Sequence, residues 1–307
     1  MAEQTLDTSW RASFAAQARA RPAILAGLLV SLGGLAVLLV QGRVWLMAPE
    51  QTFVRWALAG GMVGFLSTTL GALPALALHH LRQRTEDIML GVSAGMMLAA
   101  AIFSLLIPGL EAAGALTSGG GVWLVVLGIA LGVMLMLGID QFTPHEHHQT
   151  GPCGPGYERC HRVWLFVLAI AIHNLPEGMA VGVSFAQGDL SVGLPLTTAI
   201  ALQNLPEGLA VAMALRAIGT PTGKAVLIAG AGGLLEPVGA LIGVSLVGSS
   251  AMAYPVGLGL AAGAMLFVVS HEIIPETHRN GHQTLATVGL MTGFVIMMIL
   301  DTTLGQA

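Results

Sequence analysis

Two near-identical hexapeptides carry the side chains in this sequence that could do chemistry. One reads HNLPEG at 173–178, and the other reads QNLPEG thirty positions later at 203–208. Within the first, His173 and Glu177 are four residues apart and therefore share one face of a helix. Gln203 and Glu207 repeat that spacing in the second. Imidazole, carboxylate and amide groups are ligand types of transition-metal ions, so the repeated motif predicts a metal site.

The composition says what surrounds these motifs. Of the 307 residues, 55% are hydrophobic and 9% are charged, whereas a soluble domain has about 25% charged residues. A protein with so few charged residues cannot cover its whole exterior with water-exposed charges. Lipid is therefore predicted to surround most of that exterior. The net charge of −4, with 12 basic residues, argues against nucleic acid as a partner.

Nine apolar segments are long enough to cross about 30 Å of hydrocarbon. They fall at roughly 23–41, 53–78, 88–112, 121–140, 163–186, 192–216, 224–247, 252–273 and 284–304. Lipid-exposed backbone must satisfy its own hydrogen bonds, which favours helices. The predicted fold class is therefore all-α, a polytopic membrane helix bundle. Residues 1–22 are interpreted as a cytoplasmic segment and 23–41 as an uncleaved additional N-terminal transmembrane helix.

The basic residues predict how the bundle is oriented. With a cytoplasmic N-terminus, ten of the twelve fall on the cytoplasmic side, and only Arg43 and Arg55 fall on the other. This bias matches the positive-inside rule for the plasma (inner) membrane of a bacterium. The C-terminus, with Asp301, is then expected on the periplasmic or extracellular side.

Both motifs lie near the middle of apolar spans, where an ionisable group costs roughly 2.5–3.5 kcal/mol. Pro176 and Pro206 each remove a helical hydrogen bond, so we expect loosened turns that let Asn174 and Asn204 face inward. Glu236-Pro237 is predicted to interrupt the seventh span in the same way. Further polar or sulfur-bearing groups in the spans are Met96, Met97, Ser104 and Asp140.

Each of these groups has a simpler explanation when taken alone. A single intramembrane histidine is more often structural than a ligand, the methionines could be packing, and Glu236 could pair with a hydroxyl. Taken together, however, the buried carboxylates lack a Lys or Arg deep in any span. Protonation or a bound cation must then neutralise them. Imidazole with carboxylate favours Zn²⁺, Cd²⁺, Fe²⁺, Co²⁺ or Mn²⁺ over Mg²⁺ or Ca²⁺.

The longest connection, 141–162, reads QFTPHEHHQTGPCGPGYERCHR. It is predicted to be cytoplasmic, and imidazoles with thiols suit borderline ions such as Zn²⁺. The loop is therefore a candidate for metal capture or sensing, although it could be only a solvated polar loop. Its candidate ligands are His147, His148, Cys153, Cys160 and His161.

The two motifs, with Glu236 in the next span and HEIIPE at 271–276, resemble a bacterial member of the ZIP (Zrt/Irt-like) metal transporters. The resemblance covers an eight-span transport domain at 52–304 and implies an eight-helix ZIP core of three plus two plus three helices, in which an inverted repeat relates the first and last three. It also implies import of Zn²⁺ toward the cytoplasm, often with Cd²⁺, Fe²⁺ or Mn²⁺ as alternatives. The expected partners are divalent ions and the lipid bilayer, and a homodimer is left open.

The resemblance implies a binuclear centre. Its first ion would be held by Met97, His173, Glu177 and Glu207, and its second by Asn174, Gln203, Asn204, Glu207 and Glu236, with Glu177 able to bridge. Asp140, His145, His271 and Glu272 resemble residues that receive the ion on the exit route. Asn204 stands where some similar bacterial proteins have an acidic residue, which predicts a weaker second site. Gln203 stands where many members have His, which puts strict Zn²⁺ selectivity in doubt.

Alternating access is the expected mechanism, and the alternatives are a membrane metalloenzyme, a metal-gated channel and a metal sensor. A membrane metalloenzyme usually needs HExxH, but HEIIP has Pro at the fifth position, so no enzyme is predicted. A metal-gated channel and a metal sensor are not separated from a carrier by the sequence.

Overall fold

A computed structural model describes residues 10–47, 52–78, 80–116, 121–142, 145–147, 151–153, 162–247 and 251–304. Almost all of this described part is helical. The helices are α1 (Trp10–Ala20), α2 (Pro22–Leu46), α3 (Thr52–Ala72), α4 (Gln83–Ala100), α5 (Ile107–Leu116), α6 (Val122–Phe142), α7 (Arg162–Phe185), α8 (Leu190–Ala217), α9 (Thr222–Gly232), α10 (Leu235–Val247), α11 (Ala253–Val268), α12 (Ile274–Thr277) and α13 (Gln283–Leu304). Short strands β1 (His145–His147) and β2 (Gly151–Cys153) pair antiparallel, which the sequence did not predict.

Irregular turns join several of these helices into longer spans. A 3₁₀ turn (Leu73–Leu76) extends α3. Turns of π-helix at Ala101–Leu106 and Val269–Ile273 join α4 to α5 and α11 to α12. A π-turn inserts a residue into the helical ladder and often marks a functional site. The second of these turns contains two residues of the predicted exit route, His271 and Glu272.

The predicted number of spans is confirmed. Among the described residues, nine helical segments are long and apolar enough to cross a membrane, from Pro22–Trp45 at one end of the chain to Gln283–Leu304 at the other. Large apolar side chains are exposed along these spans, as expected where lipid covers them. The chain is therefore a multi-pass membrane protein of all-α class. The predicted division at 1–22, 23–41 and 52–304 remains a prediction.

The helices do not break at the motif prolines, although the sequence predicted loosened turns there. Helices α7 and α8 continue through Pro176 and Pro206, because neighbouring helices hold a spanning helix in place even where a hydrogen bond is missing. The seventh span is interrupted as predicted. Within this span, α9 ends at Gly232 and α10 begins at Leu235. Glu236 therefore lies in the first turn of a new helix.

The two motif helices lie at the centre of the bundle, and glycines allow their close packing. Helix α7 packs on α10, and α8 packs on α3. A Cβ on Gly178 would lie 2.1 Å from the carbonyl oxygen of Glu236, and one on Gly208 would lie 2.1 Å from that of Thr68. The final glycine of each motif is thus needed for backbone contact between helices. Two further pairs, α4 with α13 and α6 with α11, complete the core of the bundle.

The two ends of the bundle differ in packing. We call the end where α4, α7 and α9 begin the basic end, because Arg82, Arg84, Arg216 and Arg279 lie there. Toward the opposite end, an apolar cluster fills the space between the motif helices and their neighbours. Val181, Phe185, Leu196 and Leu258, in this cluster, are each at most 2% exposed. This packing closes the interior from the end away from the basic residues.

Candidate metal site within the membrane

The motif side chains converge on the interior of the bundle. His173 and Glu177 lie one turn apart on α7, and Glu207 lies on α8, which antiparallel packing brings alongside. Glu236 joins them from the first turn of α10. His173 is 3% exposed, and the three glutamates are 0–1% exposed. None of the motif carboxylates therefore points toward lipid.

Glu177 is bonded to the neighbouring motif. Its Oε1 accepts a hydrogen bond of 2.8 Å from the side-chain amide of Gln203. The amide is neutral and leaves its own Oε1 without a donor. Gln203, which the sequence interpretation treated as a ligand, therefore orients the carboxylate of Glu177 in this structure and presents an oxygen of its own.

Glu207 is held from a third helix. The hydroxyl of Ser93 on α4 donates to Glu207 Oε1 and lies 3.3 Å from the backbone oxygen of Gln203. Met97 is fully buried and follows Ser93 by four residues on the same helix. It therefore lies on the face of α4 that meets Glu207, as a sulfur ligand to the first ion would have to.

Glu236 is held by two donors. Asn204 Nδ2 and Thr68 Oγ1 lie 2.9 Å and 3.0 Å from its Oε1. The carboxylate lies directly over Gly64, since a Cβ at that position would be 1.5 Å from Glu236 Oε2. The absence of a side chain at Gly64 therefore leaves the space that the Glu236 carboxylate occupies.

The buried carboxylates remain only partly satisfied. Within the described residues, the hydrogen bonds that they accept come from neutral amides and hydroxyls. If all three carboxylates were ionised, Glu177 would be repelled by Glu207 and Glu236. Each glutamate Oε2, together with Gln203 Oε1 and Asn204 Oδ1, lacks a donor. Buried acceptors need a partner, and a divalent cation would satisfy several of these oxygens at once.

Asn174 lies beside the buried glutamates but takes no part in the hydrogen bonds described for them. It is 2% exposed and, with Thr68, lines a largely apolar cavity of about 510 Å³ between α3, α7, α8 and α9. The structure therefore places it next to the Glu236 side of the site, where the sequence interpretation assigned it to the second ion.

His173 faces the basic end of the bundle. It lines a narrow cavity of about 30 Å³ with Glu272, Glu276 and Arg279, and another of about 20 Å³ with Asp140 and Glu272. A wider cavity of about 470 Å³ lies at the basic end and is also lined by Glu276 and Arg279. Cavities thus lie between His173 and that end of the bundle.

Three residues of the predicted exit route lie close together beside these cavities. One ligand atom from each of Asp140, His271 and Glu272 lies within 4.8 Å of the others. His271 Nε2 is 3.8 Å from Asp140 Oδ1, and we call the three residues the inner cluster. The backbone of His145 lies in β1, and that of His147 and Cys153 in the same pair of strands. His148, Cys160 and His161 fall outside the described residues.

Sequence reasoning did not find the side chains that hold the carboxylates. Ser93 lies among apolar residues, and Thr68 lies between two other hydroxyl residues, Ser67 and Thr69. Hydroxyls in apolar spans are too common to single out. Gly64 is one of 41 glycines in the chain, and nothing in the sequence distinguishes it from the others. The roles of Ser93 and Thr68 depend on contacts across 114 and 168 positions.

Comparison with known proteins identifies the group to which this architecture belongs. Residues 142–301 match a family model described as ZIP Zinc transporter. The chain is similar to Zinc transporter ZIPB of Bordetella bronchiseptica, at 59% identity over 98% of both chains. It is 42% identical to Zinc transporter GufA of Myxococcus xanthus over 81% of this chain and 98% of that one.

The chain belongs to the ZIP zinc transporter family. This confirms the resemblance inferred from the two motifs, and Zinc transporter ZupT of Chlorobium luteolum is a further relative at 35% identity over 76% of this chain. The matched range contains both motifs, Glu236 and the π-turn with His271. Because it belongs to a transporter family, this ZIP protein is not an enzyme, as the sequence predicted. The family assignment supports zinc as the transported substrate.

Proposed function

We propose that this ZIP protein carries Zn²⁺ toward the cytoplasm through the site between α4, α7, α8 and α10. One observation carries the proposal: five buried acceptor oxygens, from three glutamates and two amides, have no donor among the residues that the structure describes. Structural carboxylates would be expected to have such donors, whereas ligands for a passing cation must keep oxygens available. The relatives' names supply the identity of the ion.

The site has enough candidate ligands to bind two ions. The first is held by Met97, His173, Glu177 and Glu207, and the second by Asn174, Gln203, Asn204, Glu207 and Glu236, with Glu177 able to bridge. The second set contains more amides, and neutral oxygens bind Zn²⁺ less strongly than carboxylates do. The second ion is therefore the weaker one. Cd²⁺, Fe²⁺ and Mn²⁺ are further substrates of the same donor chemistry.

Transport proceeds by alternating access, and this conformation is the one open toward the cytoplasm. Two observations support the assignment. The apolar cluster around Phe185 and Leu196 fills the end away from the basic residues, while cavities lie between His173 and the basic end. The positive-inside rule assigns the basic end to the cytoplasm, which places the C-terminus on the periplasmic side of the inner membrane. For loading, the motif helices must shift so that the apolar packing opens.

The inner cluster receives the ion when it leaves the glutamates. Glu272 lines both narrow cavities that start at His173, so an ion released there meets a carboxylate next. His145 and the loop ligands His147, His148, Cys153, Cys160 and His161 would accept it at the membrane surface. Binding at each step must be weak enough for the ion to move on.

The test is zinc uptake by the purified full-length protein in liposomes. His173→Ala and Glu207→Gln each remove a ligand of the first ion, and we expect uptake to fall by at least about tenfold, the size of effect seen when metal ligation is disturbed. Glu111→Gln is the matched control, because Glu111 lies on the exposed surface of α5. Uptake in both site variants equal to that of the control would exclude the proposed site.

The same liposomes test the mechanism. A carrier that exposes its site to one side at a time shows uptake that saturates with zinc concentration, at a turnover far below that of a channel. Flux that rises linearly with zinc concentration and responds to voltage as a pore does would exclude alternating access.

A further inference from the structure

The N-terminal helix α1 docks on the end of α6, next to the inner cluster. Gln17 Nε2 donates to the backbone oxygen of Gln141 at 3.2 Å, and the rings of Phe14 and Phe142 lie 5.7 Å apart between centroids. Gln141 and Phe142 directly follow Asp140, which belongs to the inner cluster. A helix outside the two motifs thus contacts the part of the chain that carries an exit-route ligand.

A chain of side-chain hydrogen bonds leads from the end of α1 to this ligand. Arg21 Nη1 donates to Gln141 Oε1, and Gln141 Nε2 donates to Asp140 Oδ2 at 3.2 Å. The direction of the chain is fixed by chemistry. A guanidinium can only donate, so Arg21 requires the oxygen of the Gln141 amide, and the NH₂ group must then face Asp140.

The result is a defined orientation of the Asp140 carboxylate. Oδ2 is engaged by the amide of Gln141, while Oδ1 lies 3.8 Å from His271 Nε2. The carboxylate therefore presents Oδ1 to the side where the other two members of the cluster lie. Hydrogen bonds from outside a metal site commonly orient its ligands in this way, and their loss costs about 10- to 100-fold in metal affinity or activity.

We propose that Arg21 and Gln141 are positioning residues that aim Asp140 at the departing ion. The inference rests on the proposed exit role of the inner cluster. Helix α1 thereby sets the rate at which zinc leaves the glutamate site, without contacting zinc itself. Without Arg21, the Gln141 amide is free to rotate, so its NH₂ group is no longer held toward Asp140 Oδ2.

The test combines Gln141→Leu and Arg21→Ala with Asp140→Asn in a double-mutant cycle, measured as zinc uptake kinetics of the full-length protein in liposomes. Arg19→Ala is the matched control. Arg19 lies two residues before Arg21, in the last turn of α1, and carries the same charge, but its Nε donates to Ala15 O within α1. Arg21→Lys serves as the conservative variant, since it keeps a donor for Gln141 Oε1.

We expect Gln141→Leu and Arg21→Ala to lower the maximal uptake rate by about tenfold with little change in KM, because the loading site is unaltered. Arg19→Ala should match the wild type, and Arg21→Lys should recover part of the rate. In the Asp140→Asn background, Gln141→Leu should cause no further loss, since two residues acting through one group are not additive. A thermal melt of each purified variant confirms that it is folded.

Two results would overturn the inference, and they separate its two parts. If Asp140→Asn leaves the uptake rate unchanged while Glu207→Gln abolishes uptake, the exit role of the inner cluster is wrong. If Asp140→Asn slows uptake but Gln141→Leu slows it by the same factor again in that background, the exit role stands and the positioning role fails. If the Gln141→Leu variant does not fold, the same comparison in the Asp140→Asn background is made with Arg21→Ala.

Discussion

Gly64→Ala is expected to remove one zinc position while leaving the fold intact. The added Cβ would lie 1.5 Å from Glu236 Oε2 and 2.6 Å from its Cδ. Non-bonded heavy atoms settle at about 3.5 Å, so the carboxylate must move by about 2 Å. The neighbouring atoms at this position belong to a flexible side chain, so displacement of Glu236 is easier than separation of α3 from α10.

The stability change follows from the bonds that are lost. Displacement breaks the contacts of Glu236 with Asn204 and Thr68, and a hydrogen bond between membrane helices contributes about 0.6 kcal/mol and at most about 1.7 kcal/mol. Replacing glycine by alanine within a helix returns about 1 kcal/mol. We therefore expect the free energy of unfolding to fall by less than about 3 kcal/mol, so the protein still folds.

Zinc binding is the quantity that should change. We expect equilibrium binding to the purified protein to show the loss of the weaker of two zinc sites in Gly64→Ala, as in Glu236→Ala. Gly114→Ala is the control, because nothing lies within 4 Å of a Cβ at Gly114. In the Glu236→Ala background, Gly64→Ala should have no further effect, since the group that it displaces is absent.

Two outcomes would refute this reasoning. One is unchanged zinc binding in Gly64→Ala, which would mean that Glu236 is not a ligand or can bind from another position. The other is an equal and additional loss in the Glu236→Ala background, which would mean that Gly64→Ala acts by separating the helices.

Three further predictions concern the surroundings of the site. Ser93→Ala removes the hydroxyl donor from the carboxylate of the α8 motif, and zinc affinity should fall by about tenfold; affinity equal to wild type would contradict this. Gly132→Leu should force α6 away from α11, because a Cβ at this position would lie 2.1 Å from a backbone oxygen. Thermal denaturation should show that the free energy of unfolding falls by about 1–3 kcal/mol. The control Gly114→Leu should show no such fall. Asp87→Asn weakens the 2.7 Å contact with His282 that joins α4 to the start of α13; the melting temperature should fall while the KM for zinc stays constant, and a changed KM would assign Asp87 to the transport route.

The sequence alone determined the membrane architecture and the candidate residues of the site. Hydrophobic length is a local property, because each span must cross the hydrocarbon by itself, and the nine predicted spans agree with the helices to within a few residues at most of their ends. The motif residues were identifiable for a related reason. A carboxylate in an apolar span is costly wherever the helix packs, so Glu177, Glu207 and Glu236 stood out before any contact was known.

Local rules failed where neighbouring helices decide the outcome. Proline removes a helical hydrogen bond, and from this the sequence predicted loosened turns at Pro176 and Pro206. Both helices remain continuous, since packing against α3, α4 and α10 holds them. The seventh span does break before Glu236, where two consecutive glycines precede the turn.

Only the tertiary structure decided how the carboxylates are held and where they lead. Ser93 reaches Glu207, and Thr68 reaches Glu236, across more than 100 positions. The link from Arg21 through Gln141 to the inner cluster spans a similar separation. Such contacts depend on the rotation of each helix about its axis and on its distance from its neighbours. Close approach through small residues sets both quantities, and neither can be read from one span at a time.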